Sequence, residues 1–239
     1  MLKINEVHLG NTYTKIKEID DHSIDCIYTD IPYLLSKNTG SGKDKISKSM
    51  HKLSNEIEFI SDGIDYAVLA DFVRIMKKIN CFIWCSVKQI KPIIEYFENK
   101  GCYYEILVWG KTNPIPACNR TWLNDLEYCL YFREKGVLLN HGYQLKSKFY
   151  FSATNKADKN LFKHPTIKPL ELVKRHLLHA TQPGDIVFDG FSGAGTTCKA
   201  CQEIGRNYLA IEYEKQWVDI SRNRLAGLDA EGHELPDKK

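Results

Sequence analysis

The chain has 239 residues, 43% of them hydrophobic, which suits one α/β domain with an inserted or appended lobe. Lysine plus arginine outnumber aspartate plus glutamate only 33 to 30, so overall charge announces no nucleic-acid partner; such a signal must come from local clusters. No apolar run approaches the roughly 18 residues of a membrane span, and Met1 to Glu6 lacks the apolar core of a signal peptide, so no membrane partner and a cytoplasmic location are expected.

Residues 4 to 9 read as a short strand ending at Gly10-Asn11, and residues 12 to 20 as a short helix. The apolar run Asp25-Cys26-Ile27-Tyr28-Thr29 reads as a buried strand that ends in a turn, Asp30-Ile31-Pro32-Tyr33. Residues 36–52 are Gly/Ser/Lys-rich and are expected to form a mobile basic loop. Asp65 to Ile79 has helical spacing, Cys81 to Cys85 reads as a buried strand, and Ile90 to Asn99 as a helix. Tyr103 to Trp109 and Leu126 to Phe132 are strands, separated by the proline-bearing loop Lys111 to Pro116. Residues 140 to 165 are polar, basic and aromatic, with little periodicity. Pro169 to His179 reads as a helix with proline in its first turn. Asp185 to Phe188 is a strand, Thr196 to Glu203 a helix, Tyr208 to Ile211 a strand and Lys215 to Arg224 a helix. The polar tail after Gly227 is expected to fray. Alternating strands and helices predict a mainly parallel sheet with helices on both faces.

The eight cysteines read as reduced thiols. Cys198-x-x-Cys201 is the only close pair with metal-like spacing. It lies in a predicted helix without a second Cys or His pair, so helix packing is expected there and no metal site.

Two segments carry chemistry. The first is Phe188-Asp189-Gly190-Phe191-Ser192-Gly193-Ala194-Gly195-Thr196-Thr197, a strand joined to a helix by a glycine turn. Glycines let the backbone approach a ligand, and a helix N-terminus offers unpaired N–H donors. Thr196 and Thr197 add hydroxyls at the helix start. Glu212, followed by Tyr213, ends the next strand roughly 20 residues on, where an acid accepts hydrogen bonds from ribose hydroxyls. No lysine follows Gly195, which argues against a P-loop. This unit alone fits a dehydrogenase as well as a methyltransferase, or a tight turn without ligand.

The second segment discriminates. An exocyclic amine of adenine or cytosine is a poor nucleophile, because its lone pair is delocalised into the ring. It needs acceptors for both amino hydrogens. The Asp30 carboxylate can take one and the Ile31 carbonyl the other. Pro32 stiffens the turn and Tyr33 offers a ring for stacking. A target inside a duplex must be flipped out to reach them.

At these residues the chain resembles the amino-methylating DNA methyltransferases, adenine-N6 and cytosine-N4. Their catalytic motif is Asp/Asn/Ser-Pro-Pro-Tyr/Phe/Trp, and their donor motif is like Phe188 to Thr197. His164-Pro165-Thr166-Ile167-Lys168-Pro169 is similar to the family's His-Pro-x-x-Lys-Pro segment. Trp109-Gly110-Lys111-Thr112-Asn113-Pro114 and Glu127 to Phe132 also look familial. The catalytic motif precedes the donor motif, the permuted order of the β group. The resemblance implies the Rossmann-like, seven-stranded, circularly permuted SAM-dependent methyltransferase fold over residues 1–239, with an inserted target-recognition region at 111–163. It implies S-adenosyl-L-methionine (SAM) as cofactor. Asp30, His164, Thr166, Lys168, Asp189, Gly190, Phe191, Ser192, Gly193, Gly195, Thr196, Thr197, Glu212 and Tyr213 are the donor-site candidates. Three positions depart from the family: Ile31 replaces the first proline, Gly190 stands where proline is usual, and Gly10-Asn11 where many members carry Gly-Asp.

Aspartate at the head of the tetrapeptide favours adenine, since serine is more usual in cytosine-N4 enzymes. The expected function is therefore site-specific adenine-N6 methylation, with cytosine-N4 methylation and an inactive SAM- or DNA-binding protein as rivals. DNA is the expected partner, in a bacterial or phage-infected cell, and a homodimer is a hypothesis by resemblance. Lys37, Lys43, Lys45 and Lys48 in the basic loop, with Lys111, Asn119, Arg120, Lys146 and Lys148, are the DNA-contact candidates.

Overall fold

Eight runs rich in β-branched and aromatic residues pair into one sheet. The computed structural model describes residues 2–34, 63–115, 122–140 and 142–235. In chain order the elements are β1 (Glu6–Leu9), α1 (Thr12–Lys15), β2 (Cys26–Asp30), α2 (Val68–Ile75), β3 (Asn80–Cys85), α3 (Val87–Glu98), β4 (Tyr103–Lys111) and β5 (Leu126–Arg133). Then come β6 (Phe149–Ser152), α4 (Lys156–Phe162), α5 (Leu170–Ala180), β7 (Ile186–Asp189), α6 (Thr196–Ile204), β8 (Asn207–Glu212) and α7 (Lys215–Leu225). The expected basic loop, with Lys37, Lys43, Lys45 and Lys48, lies outside the described residues, as do Asn119 and Arg120.

The sheet order is β1-β8-β7-β2-β3-β5-β4-β6. Strand β5 runs antiparallel to both neighbours, and the other pairs are parallel. The last strands in the chain, β7 and β8, thus lie between the first two, β1 and β2. Seven strands make the expected sheet, and β6 adds an eighth at its edge. The stretch 140 to 165, read as largely aperiodic, holds both β6 and α4. Strand β6 has one neighbour, so Phe149 and Phe151 point outward and no buried run marks it. Helix α4 is only seven residues long and starts at Asn155, whose side chain accepts from Asp158 N at 3.1 Å. Within 111–163, β5 is itself a central strand.

Strand β3 is buried at all six positions because helices cover both faces of the sheet. One core joins Ile16, Leu69, Phe72, Ile93 and Phe97 to the face carrying Ile27, Ile83 and Phe132. The other packs α5, α6 and α7 against Tyr28, Phe82, Trp84 and Tyr131. Cys198 and Cys201 are buried in that second core, the packing role expected of them. Helix α5 begins one residue later than its proline: Pro169 is the N-cap. Among the described residues no helix is long and apolar enough to cross a membrane.

One polar chain runs through the second core. Trp84 Nε1 donates to Tyr28 Oη at 3.0 Å, and Tyr28 Oη lies 3.2 Å from His176 Nδ1. His176 stacks on Phe82 at 5.3 Å, and burial holds it neutral, down at about 3. The chain fixes the plane of the Trp84 indole, whose backbone carbonyl meets the Asp30–Tyr33 turn at Ile31. Tyr28→Phe keeps the ring but leaves the indole N–H and the imidazole nitrogen unpaired. We expect a loss of about 1–3 kcal/mol, measured by urea unfolding with an unchanged slope.

Candidate active site

The chain leaves β7 toward one edge of the sheet and β2 toward the other, so their carboxyl ends form the switch point where a doubly wound sheet is expected to place its ligand crevice. Asp189 closes β7 and Asp30 closes β2. Thr29 Oγ1 joins the two strand ends by donating to Asp189 Oδ1 at 2.9 Å. Phe191 N also donates to that oxygen, at 3.2 Å. Burial pushes the Asp189 carboxyl up to about 6, against bonds from Thr197, Phe191 and Thr29 that favour the ionised form.

The glycine turn is packed to the limit of what a glycine allows. A Cβ on Gly190 would lie 2.9 Å from Thr12 Cγ2, while Thr12 Oγ1 donates to the Gly190 carbonyl. A Cβ on Gly193 would lie 2.9 Å from His164 Nε2. Gly195 has φ +72° and forms the N-cap of α6. Glu212 closes β8. Its Oε2 accepts from Gly193 N at 2.7 Å and its Oε1 from Glu214 N at 2.9 Å. With the Tyr213 N–H also bonded, the carboxylate keeps about one of its four acceptor sites. His164 stands edge-on to Trp217 at 4.5 Å. Burial, then the cations Lys168, Arg224 and Lys159, bring His164 down to about 4, so it is neutral near pH 7.

The Asp30–Tyr33 turn follows β2, the strand beside β7. Ile31 is buried among α2 and β3 side chains, and its N–H donates to Trp84 O at 3.2 Å. Gln89 Nε2 donates to Pro32 O at 2.9 Å, while Gln89 Oε1 accepts from Leu34 N and from Ser86 at the start of α3. One capping-box side chain thus starts a helix and holds the turn. Lys168 Nζ pairs with Asp30 Oδ2 and lies 3.0 Å from Glu127 Oε2. Lys111 Nζ lies 2.7 Å from Glu127 Oε1. Tyr33 Oη is 3.4 Å from both Lys168 Nζ and Glu127 Oε2. Burial pushes Asp30 up and Lys168 only partly offsets it. Burial also pushes Glu127 up, but its two lysines prevail and hold it at about 2.

A family model described as DNA methylase matches residues 24–223. The chain belongs to this family. The Type II methyltransferase M2.MboI of Moraxella bovis is 30% identical, over 91% of this chain and 86% of its own length. The Type II methyltransferase M2.DpnII of Streptococcus pneumoniae is also 30% identical, over 90% and 87%. Among solved structures, the M1.HpyAVI–SAM complex is 25% identical and superposes with a TM-score of 0.69, covering 92% of this chain and 99% of that one. The cytosine-N4-specific PvuII DNA methyltransferase superposes at 0.71 over 100% and 89%, but is 14% identical and shows the fold alone. This chain is a SAM-dependent DNA methyltransferase.

The methyltransferase site fits its cofactor. Among the described residues only three buried side-chain polar atoms lack a partner, and two belong to these segments: Ser192 Oγ in the glycine turn and Asp30 Oδ1 at the end of β2. Beside them stand the glycine turn and the Glu212 acceptors. Not every candidate stands ready for the donor. Thr196 Oγ1 accepts from Arg224 at 2.9 Å, and Thr197 serves Asp189. Thr166 and Tyr213 lie exposed. Lys168 is paired with Asp30 and Glu127. Lys111, expected on DNA, is committed to Glu127 instead because that buried carboxylate needs its charge. Lys146 and Lys148 are exposed, Lys148 beside Glu105.

Sequence reasoning gave no role to Glu127, Gln89, Thr12 or Arg224. For Glu127 a signal existed: it shares a strand face with Cys129 and Tyr131, and an acid in line with buried residues needs a partner.

Gly195 offers a direct test of the turn. A Cβ there takes a left-handed backbone and collides with Ser221 Oγ, itself buried. Gly195→Ala is expected to cost about 1–3 kcal/mol, read as a lower urea midpoint.

Proposed function

We propose that this DNA methyltransferase acts on the N6 amino group of adenine, in a base flipped from the duplex, by direct transfer. The observation that carries the reading is Asp30 Oδ1: a carboxylate oxygen without a partner, at the end of β2, beside the donor crevice. Asp30 Oδ1 accepts one amino hydrogen and the Ile31 carbonyl the other, which draws the nitrogen lone pair out of conjugation. Tyr33 stacks on the base. SAM, when bound, would supply an electrophilic methyl group from its sulfonium, the S–C bond breaking to leave the neutral thioether. As the N–C bond forms, the amine sheds a proton, and Asp30 is the base placed to take it. Its upward shift brings it toward the range useful to a general base. Glu212 holds the ribose hydroxyls, and the turn from Asp189 to Gly195 holds the rest of the donor.

The N–H of Ile31 bonded to Trp84, and its side chain in the core, keep the turn rigid without the first proline, which supports activity over the inactive-binder reading. DNA contacts are assigned to Lys146 and Lys148, next to the exposed Phe149 and Phe151 on β6, within a recognition region at 111–163. A homodimer and a cytoplasmic location in a bacterial or phage-infected cell belong to the same reading. A mass of 27.6 kDa by light scattering at micromolar concentration removes the dimer.

The deciding assay incubates the protein with methyl-labelled SAM and mixed-sequence DNA, then identifies the labelled nucleoside. N6-methyladenine is expected, with a loss of roughly 100-fold or more in Asp30→Ala. Label in N4-methylcytosine keeps the mechanism and replaces the substrate. No label despite SAM binding removes the enzyme reading.

A further inference from the structure

Two lysines and two carboxylates meet beneath the acceptor turn, and Asp30 alone among them has a role so far. The Lys168 side chain is 7% exposed, yet its ammonium is fully engaged. Its three donors reach Asp30 Oδ2, Glu127 Oε2 and Tyr33 Oη. It also lies 5.1 Å from the centre of the Trp84 ring and 5.4 Å from that of Tyr33. Glu127 is held from its other side by Lys111. Trp84 is held by Tyr28. Every neighbour of the Lys168 ammonium is thus itself fixed.

We propose that Lys168, anchored by Glu127, is the positioning residue of the acceptor site: it takes Oδ2 of Asp30 and leaves Oδ1 as the one oxygen that meets the amino group of the base. The proposal rests on the methyl-transfer reading above. It gives Lys168 a role on the acceptor side and gives Glu127 a role for the first time.

Among the described residues, the titratable groups that act on Asp30 are Lys168 ahead of α5, Glu127 and Cys129 on β5, Cys85 on β3, Asp189 on β7, Tyr28 on β2 and Tyr33 on its own turn. Lys168 is the cation among them. Without it, burial and the Glu127 charge act unopposed, and Asp30 must titrate higher. Without the Glu127 charge, Lys168 serves Asp30 alone, and Asp30 must titrate lower. Opposite movements measure the coupling of both charges to Asp30; kcat against SAM affinity, and rescue by arginine, separate positioning from a structural role.

The test is a carbon-13 NMR titration of the full-length protein labelled at aspartate carboxyls, with Asp30→Asn to assign the resonance. Lys168→Met is expected to raise the Asp30 titration by about one unit or more, and Glu127→Gln to lower it. Lys168→Arg, which keeps the cation, stays near wild type. In parallel, kcat at saturating SAM falls roughly 100-fold in Lys168→Met and recovers in large part in Lys168→Arg, while SAM affinity by equilibrium dialysis is retained. An Asp30 titration unmoved by Lys168→Met overturns the proposal. So does weakened SAM binding with kcat intact at saturation, which makes Lys168 a donor ligand. Should Lys168→Met fail to fold, Glu127→Gln decides: an unmoved or raised Asp30 titration overturns the proposal. A wild-type protein that transfers no methyl group defeats the functional reading, while the titration still judges the Lys168–Asp30 coupling.

Discussion

The site depends on a row of alternating charges, Lys111, Glu127, Lys168 and Asp30, in which Lys168 is buried and the other three are half-buried. A lone carboxylate at the end of β2 would be neutralised by burial and would not accept from an amine. A lone ammonium there would be as costly. In a row, each charge has an opposite neighbour, and removal of any inner member leaves an unpaired buried charge, a change worth about 3–5 kcal/mol. The two carboxylates are not equivalent. Glu127 has two lysines and is held at about 2, whereas Asp30 has a share of one and is raised. The row thus makes one carboxylate held firmly ionised and one raised above its ordinary range.

The permuted chain order imposes a demand of its own. Donor and acceptor strands are neighbours in the sheet, yet Thr29 and Asp189, which join them, are 160 residues apart. Lys168 and Asp30 are 138 apart. Nothing local in sequence can hold these halves in register; the β1–β8 and β2–β7 ladders do so, and bonds at the strand ends add to them. Thr29 ties β2 to β7, Thr12 ties the β1–α1 corner to Gly190, and Gly10 N reaches back to the Glu212 carbonyl. Each bond joins early chain to late chain. The site is where the two ends of the sequence are fastened together.

That geometry also explains what could be read in advance. Asp30, Asp189 and Glu212 were legible because each is an acid closing an apolar strand run, and polarity at a strand end is local information. The glycines were legible because a strand-to-helix turn is local too. The engagement of Lys168 was not, since its carboxylate partners lie on β2 and β5, far from it in sequence. Thr196 looks like a donor contact by position, and only the fold reveals Arg224 of α7 at its hydroxyl. Strand β6 and helix α4 escaped for a different reason. An edge strand and a seven-residue helix bury too little to leave a period in the sequence.

Ile31 shows how a departure from a motif can be absorbed. Proline at this position would contribute a fixed φ and no donor. Isoleucine has a softer backbone, but it supplies an N–H, and the chain uses it: the bond to Trp84 O continues the parallel β2–β3 ladder one residue beyond Asp30. Its side chain is 1% exposed, packed in the core under the turn. Gln89 fixes the next carbonyl, that of Pro32, from the start of α3. The turn is therefore held at three consecutive points: an ion pair at Asp30, a ladder bond and a core contact at Ile31, and a side-chain bond at Pro32. Rigidity that the family motif writes into the covalent ring of one residue is here distributed over β3, α3 and the lysine ahead of α5. A sequence comparison of the tetrapeptide alone would miss this, because the compensation lies in its neighbours in space.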